Sequence, residues 1–140
     1  MKLHLGRMID HVHLRARDLE KTKRFYTDVL KTLGIPVGSQ SPRHIQFDEL
    51  WIDALGDEKG SATHVHLAFQ AADREAVERF YAAGMASGGR DNGPPGERDY
   101  APGYYAAFLL DPDGNNVEAV FHGSTKRSAP SIVVMRVVDK

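Results

Sequence analysis

The chain has 140 residues, 41% apolar and 26% charged, with a formal net charge of −1, which suits one compact globular domain with a real core. Positive and negative residues are interspersed, so there is no basic stripe for nucleic acid or an anionic membrane, and neither is expected as a partner. The absence of cysteine excludes disulfides, zinc–thiolate sites and cysteine nucleophiles, and leaves nitrogen and oxygen as the only metal donors. In chain order, the opening MKLHLGRMID has no apolar run suited to a signal peptide, and no segment approaches the ~20 apolar residues of a membrane span. A cytoplasmic location is therefore expected. Residues 9–16 alternate as a strand, with Ile9, His11, His13 and Arg15 on one face. Asp18 then precedes a helix whose apolar side is Leu19, Phe25, Tyr26, Val29, Leu30 and Leu33. Strand candidates follow at roughly 44–48 and 50–55. A second strand and helix start at His66 and Asp73, with Val77, Phe80, Tyr81 and Met85 as the apolar side. Residues 91–103, DNGPPGERDYAPG, read as a Gly/Pro-rich loop of the kind used as lids or plain connections. Strands at 104–110 and 116–121 are joined by DPDGN, a strong turn signal, and the tail SIVVMRVV has the character of one more strand.

The two halves repeat. Setting RFY (24–26) on RFY (79–81) aligns residues 11–34 with 66–89 without a gap, and eight of the 24 positions are identical. In this register His11 matches His66 and Asp18 matches Asp73. Gly34 and Gly89 follow the helices, where a left-handed cap suits glycine. The tripeptide HVH occurs at 11–13 and 64–66, but pairing one copy with the other needs a two-residue insertion, so the helix register is preferred. WIDAL (51–55) likewise resembles NVEAV (116–120), which puts Asp53 and Glu118 at matching places inside apolar strands.

A carboxylate on a buried strand is costly without a partner. A salt bridge would satisfy Glu118; so would a divalent metal. His11, His66 and Glu118, with Asp53 as a fourth candidate, form a nitrogen–oxygen set suited to Ni, Co, Zn, Fe or Mn, with positions left open for a substrate oxygen. His13 and His64 lie two residues from those histidines and share their face. They are expected to line the pocket, to orient a ligand or simply to satisfy strand neighbours.

The pattern DHVHLRARDLEKTKRFYTDVL…HLAFQAAD…FLLDPDGNNVEAVF (9–122) resembles the vicinal oxygen chelate superfamily, which includes glyoxalase I, extradiol dioxygenases, fosfomycin-resistance transferases and bleomycin-binding proteins. The resemblance implies an α+β fold of two βαβββ modules, about 8–56 and 63–122, in a single domain with a tail at 123–140. A curved mixed sheet would enclose a metal-site cavity, with the helices outside. By motif position it assigns one divalent metal to His11, His66 and Glu118, with a fourth ligand at or near Asp53. The leading activity it implies is a glyoxalase-like lyase or isomerase. There the metal stabilises charge on a chelating small molecule, and Glu118, with Asp53 opposite, moves the proton. Arg15 occupies the place of a substrate-contacting arginine, and His13, His64, Trp51, Tyr104 and Tyr105 are candidate pocket residues. A second reading is an extradiol-type Fe(II) dioxygenase, in which His13, His44, His64 and His122 compete for the role of base. Fosfomycin-type transfer ranks lower, since the potassium-binding loop is absent and Phe108 stands where that group has tyrosine. The last reading is a metal-free binding protein with an aromatic groove built from Trp51, Tyr100, Tyr104, Tyr105 and Phe108. Superfamily members of this length imply a homodimer whose sites are completed across the interface.

Overall fold

Alternation along the first strand sorts apolar side chains to one face and polar ones to the other. A computed structural model describes residues 3–5, 8–56 and 60–138. After β1 (Leu3–Leu5) comes β2 (Val12–Ala16), where Leu14 and Ala16 are buried while His13 and Arg15 stay exposed. The strand is shorter than the expected 9–16. The helix α1 (Leu19–Lys31) begins where Asp18 Oδ1 accepts the backbone N–H of Lys21 at 3.2 Å. Leu19, Phe25, Tyr26, Val29 and Leu30 form its buried side, as their spacing predicts. Then follow β3 (Ser39–Ser41), β4 (His44–Phe47) and β5 (Leu50–Ala54). The second half repeats the order: β6 (His66–Gln70), α2 (Arg74–Ala86), β7 (Arg90–Glu97), β8 (Tyr105–Leu110) and β9 (Asn116–Phe121). Asp73 Oδ1 caps α2 on the N–H of Ala76 at 2.7 Å. Finally β10 (Ile132–Val134), within the expected tail segment, pairs antiparallel with β1.

Each half is thus a βαβββ module with its own four-stranded mixed sheet. The strand orders are β2-β5-β4-β3 and β6-β9-β8-β7, and neither sheet closes into a barrel. In both, the first strand runs parallel to the last and the remaining pairs are antiparallel. The fold is the expected α+β arrangement, with the modules as two sheets rather than one. A single apolar cluster joins them, drawing Phe25, Val29 and Leu30 from α1, Val77 and Phe80 from α2, and Ile45, Ile52, Leu109 and Val117 from the sheets.

Three features differ from the sequence reading. Residues 90–97 form a strand, not a loop. Their glycines and prolines are tolerated because β7 is the outer strand of its sheet, and its pairing with β8 is broken by irregularities between Asp91 and Gly93 and between Gly93 and Gly96. In α2, Met85 is exposed, and Gly84 is the residue that meets the core. A Cβ at Gly84 would lie 2.2 Å from Leu109 Cδ1, so glycine permits the close packing of helix on sheet. The positive φ after α2 also falls at Gly88 (φ 90°), while Gly34 carries it after α1 (φ 77°) as expected. Gly89 is instead packed so closely on Phe25 that a Cβ would approach the ring to 2.5 Å.

The DPDGN turn joins the modules. Asp111, almost fully buried, accepts from the backbone N–H groups of Asp113 and Asn115, each at 2.9 Å, and from Asn115 Nδ2 at 2.8 Å. Its fourth partner is the Tyr26 hydroxyl of α1, at 2.6 Å. Nearby, Ser87 donates to Asp28 at 2.5 Å. These bonds fix the two sheets against a shared core, with their polar faces turned away from the helices.

Candidate functional site

In the second module, β6 and β9 lie side by side in parallel register, with His66 opposite Asn116 and Ala68 opposite Glu118. His66 reaches diagonally to Glu118, Nε2 to Oε1, at 2.9 Å. The other carboxylate oxygen accepts the hydroxyl of Tyr104. Asn116 Nδ2 donates to His66 Nδ1 at 2.8 Å. With Nδ1 an acceptor, the ring proton sits on Nε2 and faces Glu118. Glu118 has a side chain only 3% exposed, so these two partners satisfy a carboxylate that would otherwise be costly to bury. Burial, and then the bond to Glu118, push the Tyr104 hydroxyl up to about 12. Phe108, directly opposite Glu118 on β8, stands edge-on to His66 with ring centres 6.1 Å apart. Tyr100 and His122 flank Tyr104 at 5.1 and 5.2 Å between ring centres.

The first module carries a counterpart. In β2 and β5, His13 lies opposite Trp51 and Arg15 opposite Asp53. His13 Nδ1 donates to Asp53 Oδ2 at 2.5 Å. Trp51 stacks between two imidazoles: His13 at 5.7 Å with the planes 17° apart, and His44 at 5.3 Å and 23°. His44 is held in turn by Ser41 Oγ at 2.8 Å and Ser39 Oγ at 3.3 Å. A cavity of about 370 Å³ opens here, lined by His13, Arg15, Arg43, His44, Trp51 and Asp53. A smaller one of about 220 Å³ adjoins it, lined by Asp10, His11, Asp48 and again His13 and Trp51.

The two pairs correct the repeat register. Asp53 and Glu118 take the same place on the last strands, and the residues opposite them are Arg15 and Ala68. Two positions earlier stand His13 and His66. Through the sheets, therefore, HVH does match HVH. Through the helices it does not, because the second module has two more residues between this point and its helix cap. The connection absorbs the difference, which a gap-free alignment hides.

The expected site residues are distributed accordingly. His66, Glu118 and Tyr104 come together, and so do His13, Asp53, Trp51 and Arg15. His11 bonds its sequence neighbour Asp10 at 2.6 Å and meets His13 edge-on, with ring centres 5.4 Å apart. His64 is exposed. Tyr105 turns to the opposite face, where its hydroxyl donates to Glu78 of α2 at 2.9 Å and Arg74 covers its ring at 4.7 Å. It is thus not brought to the site. Among the described residues, no three histidine or carboxylate groups converge closely enough to hold a metal within one chain. The sequence reading missed Asn116 and Arg43. Asn116 sits two residues before Glu118 on the same strand face, a spacing that identifies it; Arg43 lies on a turn, where no periodicity marks it.

Comparison with known proteins agrees with this architecture. A family model described as the glyoxalase/bleomycin resistance protein/dioxygenase superfamily matches residues 8–119. A crystal structure of a glyoxalase/bleomycin resistance protein from Albidiferax ferrireducens T118 is 38% identical, with a TM-score of 0.70, covering 81% of this chain and 98% of that one. A glyoxalase-related enzyme from Fulvimarina pelagi is 20% identical with a TM-score of 0.68, over 94% of this chain and 99% of that one. Lactoylglutathione lyase from Agrobacterium tumefaciens shares the fold at 21% identity and a TM-score of 0.61, over 83% and 94% of the two chains. No functionally curated protein matches the chain.

Proposed function

We propose, from the premise that this chain belongs to the glyoxalase/bleomycin resistance protein/dioxygenase superfamily, that it is a divalent-metal-dependent enzyme of the glyoxalase-like lyase or isomerase class. Its substrate would be a small molecule that chelates the metal through vicinal oxygens. The observation that carries this reading is Glu118, a carboxylate buried on a strand with the imidazole of His66 beside it. The donor set fits: two histidine–carboxylate pairs of neutral nitrogen and hard oxygen suit a borderline or hard divalent ion. His66 and Glu118 would hold it together with a histidine of the first strand and, directly or through that histidine, Asp53. When bound, the metal acts as a Lewis acid that polarises a substrate oxygen.

The chain's own groups supply the rest. Glu118 is the proton carrier, since it is the carboxylate at the centre of this cluster, within hydrogen-bond reach of both His66 and Tyr104. Tyr104, bonded to Glu118, holds that carboxylate in place and can return a hydrogen bond to an oxygen that gains charge. Phe108 and Trp51 supply an apolar ring beside the histidine of each pair. Arg15 and Arg43 line the larger cavity and favour an anionic substrate group. Because no three histidine or carboxylate groups among the described residues converge within one chain, the reading includes a homodimer in which the first module of one protomer meets the second module of its partner.

Metal analysis of the purified protein is the test. The expected result is a stoichiometric transition metal, lost on His66→Ala, and turnover of glutathione hemithioacetals with Ni, Co or Zn bound. Oxygen consumption with catechols and Fe(II) would move the activity to the dioxygenase class. A specific observation favours one alternative: both oxygens of Glu118 are already satisfied by His66 and Tyr104, as in a metal-free binding protein with an aromatic groove. Protein that takes up no metal and keeps its fold on His66→Ala would establish that alternative.

A further inference from the structure

We propose that the ribbon of β1 and β10 is a docking surface for a second copy of this chain, with β10 of one copy pairing antiparallel to β10 of the other across a two-fold axis. The proposal is independent of the metal-dependent reading and uses none of its ligands. Both strands lie outside residues 8–119, the part that the family model matches, so the ribbon is an addition to the shared modules. It belongs to neither four-stranded sheet. A two-stranded ribbon alone is marginal in water, and this one has the three residue pairs Leu3↔Val134, His4↔Val133 and Leu5↔Ile132.

The residues of β10 and those just after it need more cover than β1 gives. Between 132 and 138 the sequence reads IVVMRVV, apolar throughout except for Arg136. Successive side chains of a strand point to opposite faces, so Ile132 and Val134 make one face of β10 apolar and Val133 the other. A strand apolar on both faces has the pattern of one buried on both. Yet every residue from 132 to 138 is exposed, Met135 to 61%, Val137 to 83% and Val138 to 87%. Leu5 of β1 is different. It is buried and forms one wall of the smaller cavity, beside His11, His13 and Trp51. The ribbon is thus seated on the first module through Leu5, while β10 is left uncovered.

The chemistry of that surface selects a second β10 as its occupant. Among the described residues, the edge of β10 away from β1 has no strand beside it. Ile132–Met135 also lack the lysine, proline or bulge that commonly keeps sheet edges apart. Two such edges run antiparallel satisfy each other's backbone groups, and the two-fold axis closes the assembly at two chains. The apolar surface exposed along residues 132–138 is on the order of several hundred Å² per copy. Two copies together therefore approach the roughly 1,200 Å² at which specific interfaces begin. The contact is additional to any meeting of the module faces.

The cysteine-free chain makes a direct test available. Val133→Cys, Val134→Cys and Met135→Cys are made singly in the full chain, with Met85→Cys, at an exposed position of α2, as the control. Each is oxidised with diamide at low micromolar concentration. At least one of the three tail positions should form a covalent dimer roughly tenfold faster than the control, because pairing raises the effective concentration of one thiol at the other. Sedimentation of the double variant Val133→Asp/Met135→Asp should show a dimer dissociation constant raised by at least about tenfold, with an unchanged circular dichroism spectrum. Should the double variant lose its fold, the cross-linking rates decide alone. Cross-linking no faster than the control at all three positions overturns the proposal, as does a folded double variant that dimerises like wild type. A wild-type chain that stays monomeric in solution but pellets with phosphatidylcholine vesicles also overturns it, and assigns the surface to lipid.

Discussion

Glu118 and Asp111 are both nearly inaccessible carboxylates, yet their surroundings serve different ends. Asp111 accepts two backbone N–H groups, a side-chain amide and the Tyr26 hydroxyl, an arrangement that closes a turn and ties two modules. Removing the phenol in Tyr26→Phe leaves part of that carboxylate unsatisfied and should cost about 1–3 kcal/mol, read as a lower denaturation midpoint. Among the described residues, the partners of the Glu118 carboxylate are His66 and Tyr104. The Tyr104 hydroxyl, pushed up from 10.0 to about 12 by burial and then by Glu118, gives a pH signature. A phenol with a raised folded pKa adds stability that is fully present below its unfolded value near 10 and is lost as pH climbs through about 12. Ultraviolet titration of the tyrosines should therefore show a late step that Tyr104→Phe removes. The same titration unchanged in that variant would detach Tyr104 from Glu118.

Among the elements, those with a clear period were legible in the sequence. The two helices and their aspartate caps emerge from three-to-four spacing, and β9 from an apolar run after a turn. The edge strand β7 was not legible, because Pro94, Pro95, Gly93 and Gly96 argue against a strand everywhere except at a sheet margin, and position in a sheet is a tertiary fact. The site was half legible for a related reason. Sequence similarity pairs helix with helix, whereas the histidine–carboxylate contacts are set by strand against strand; an unequal connection lets the two registers differ by two residues. His66 and Glu118 are paired in the structure as the repeat suggests, whereas in the first module the histidine beside Asp53 is His13, two residues on from the one that the helix register selects. Packing of α2 on β8 offers a direct check at this scale. Gly84→Val would drive a branched side chain into Leu109, a fully buried neighbour, and into Val29. About 1–3 kcal/mol should be lost, seen as a lower melting temperature with the metal-free fold otherwise retained.

At the scale of the whole molecule, two similar modules share one core but keep their polar faces separate. Each face holds a histidine–carboxylate pair, and within one chain the pairs do not converge into a three-ligand cluster among the described residues. A dimer that sets unlike modules face to face would bring them together. Mixing protein with both His11 and His13 replaced by alanine with His66→Ala protein should then restore cobalt binding, since a mixed dimer contains one site free of any substitution. No recovery on mixing, or a monomeric mass for fully active protein, would rule out shared sites. No helix among the described residues is long and apolar enough to cross a membrane.

The stack of His13, Trp51 and His44 has a practical consequence. Trp51 is the single tryptophan of the chain, and both flanking rings are imidazoles. Intrinsic fluorescence excited at the indole thus reports on the first module alone, without any label. Cobalt or nickel bound beside this stack should quench it strongly, and ligand arriving at the second module should change it only when the two faces meet. The molecule carries its own optical gauge for which half of the site is filled first.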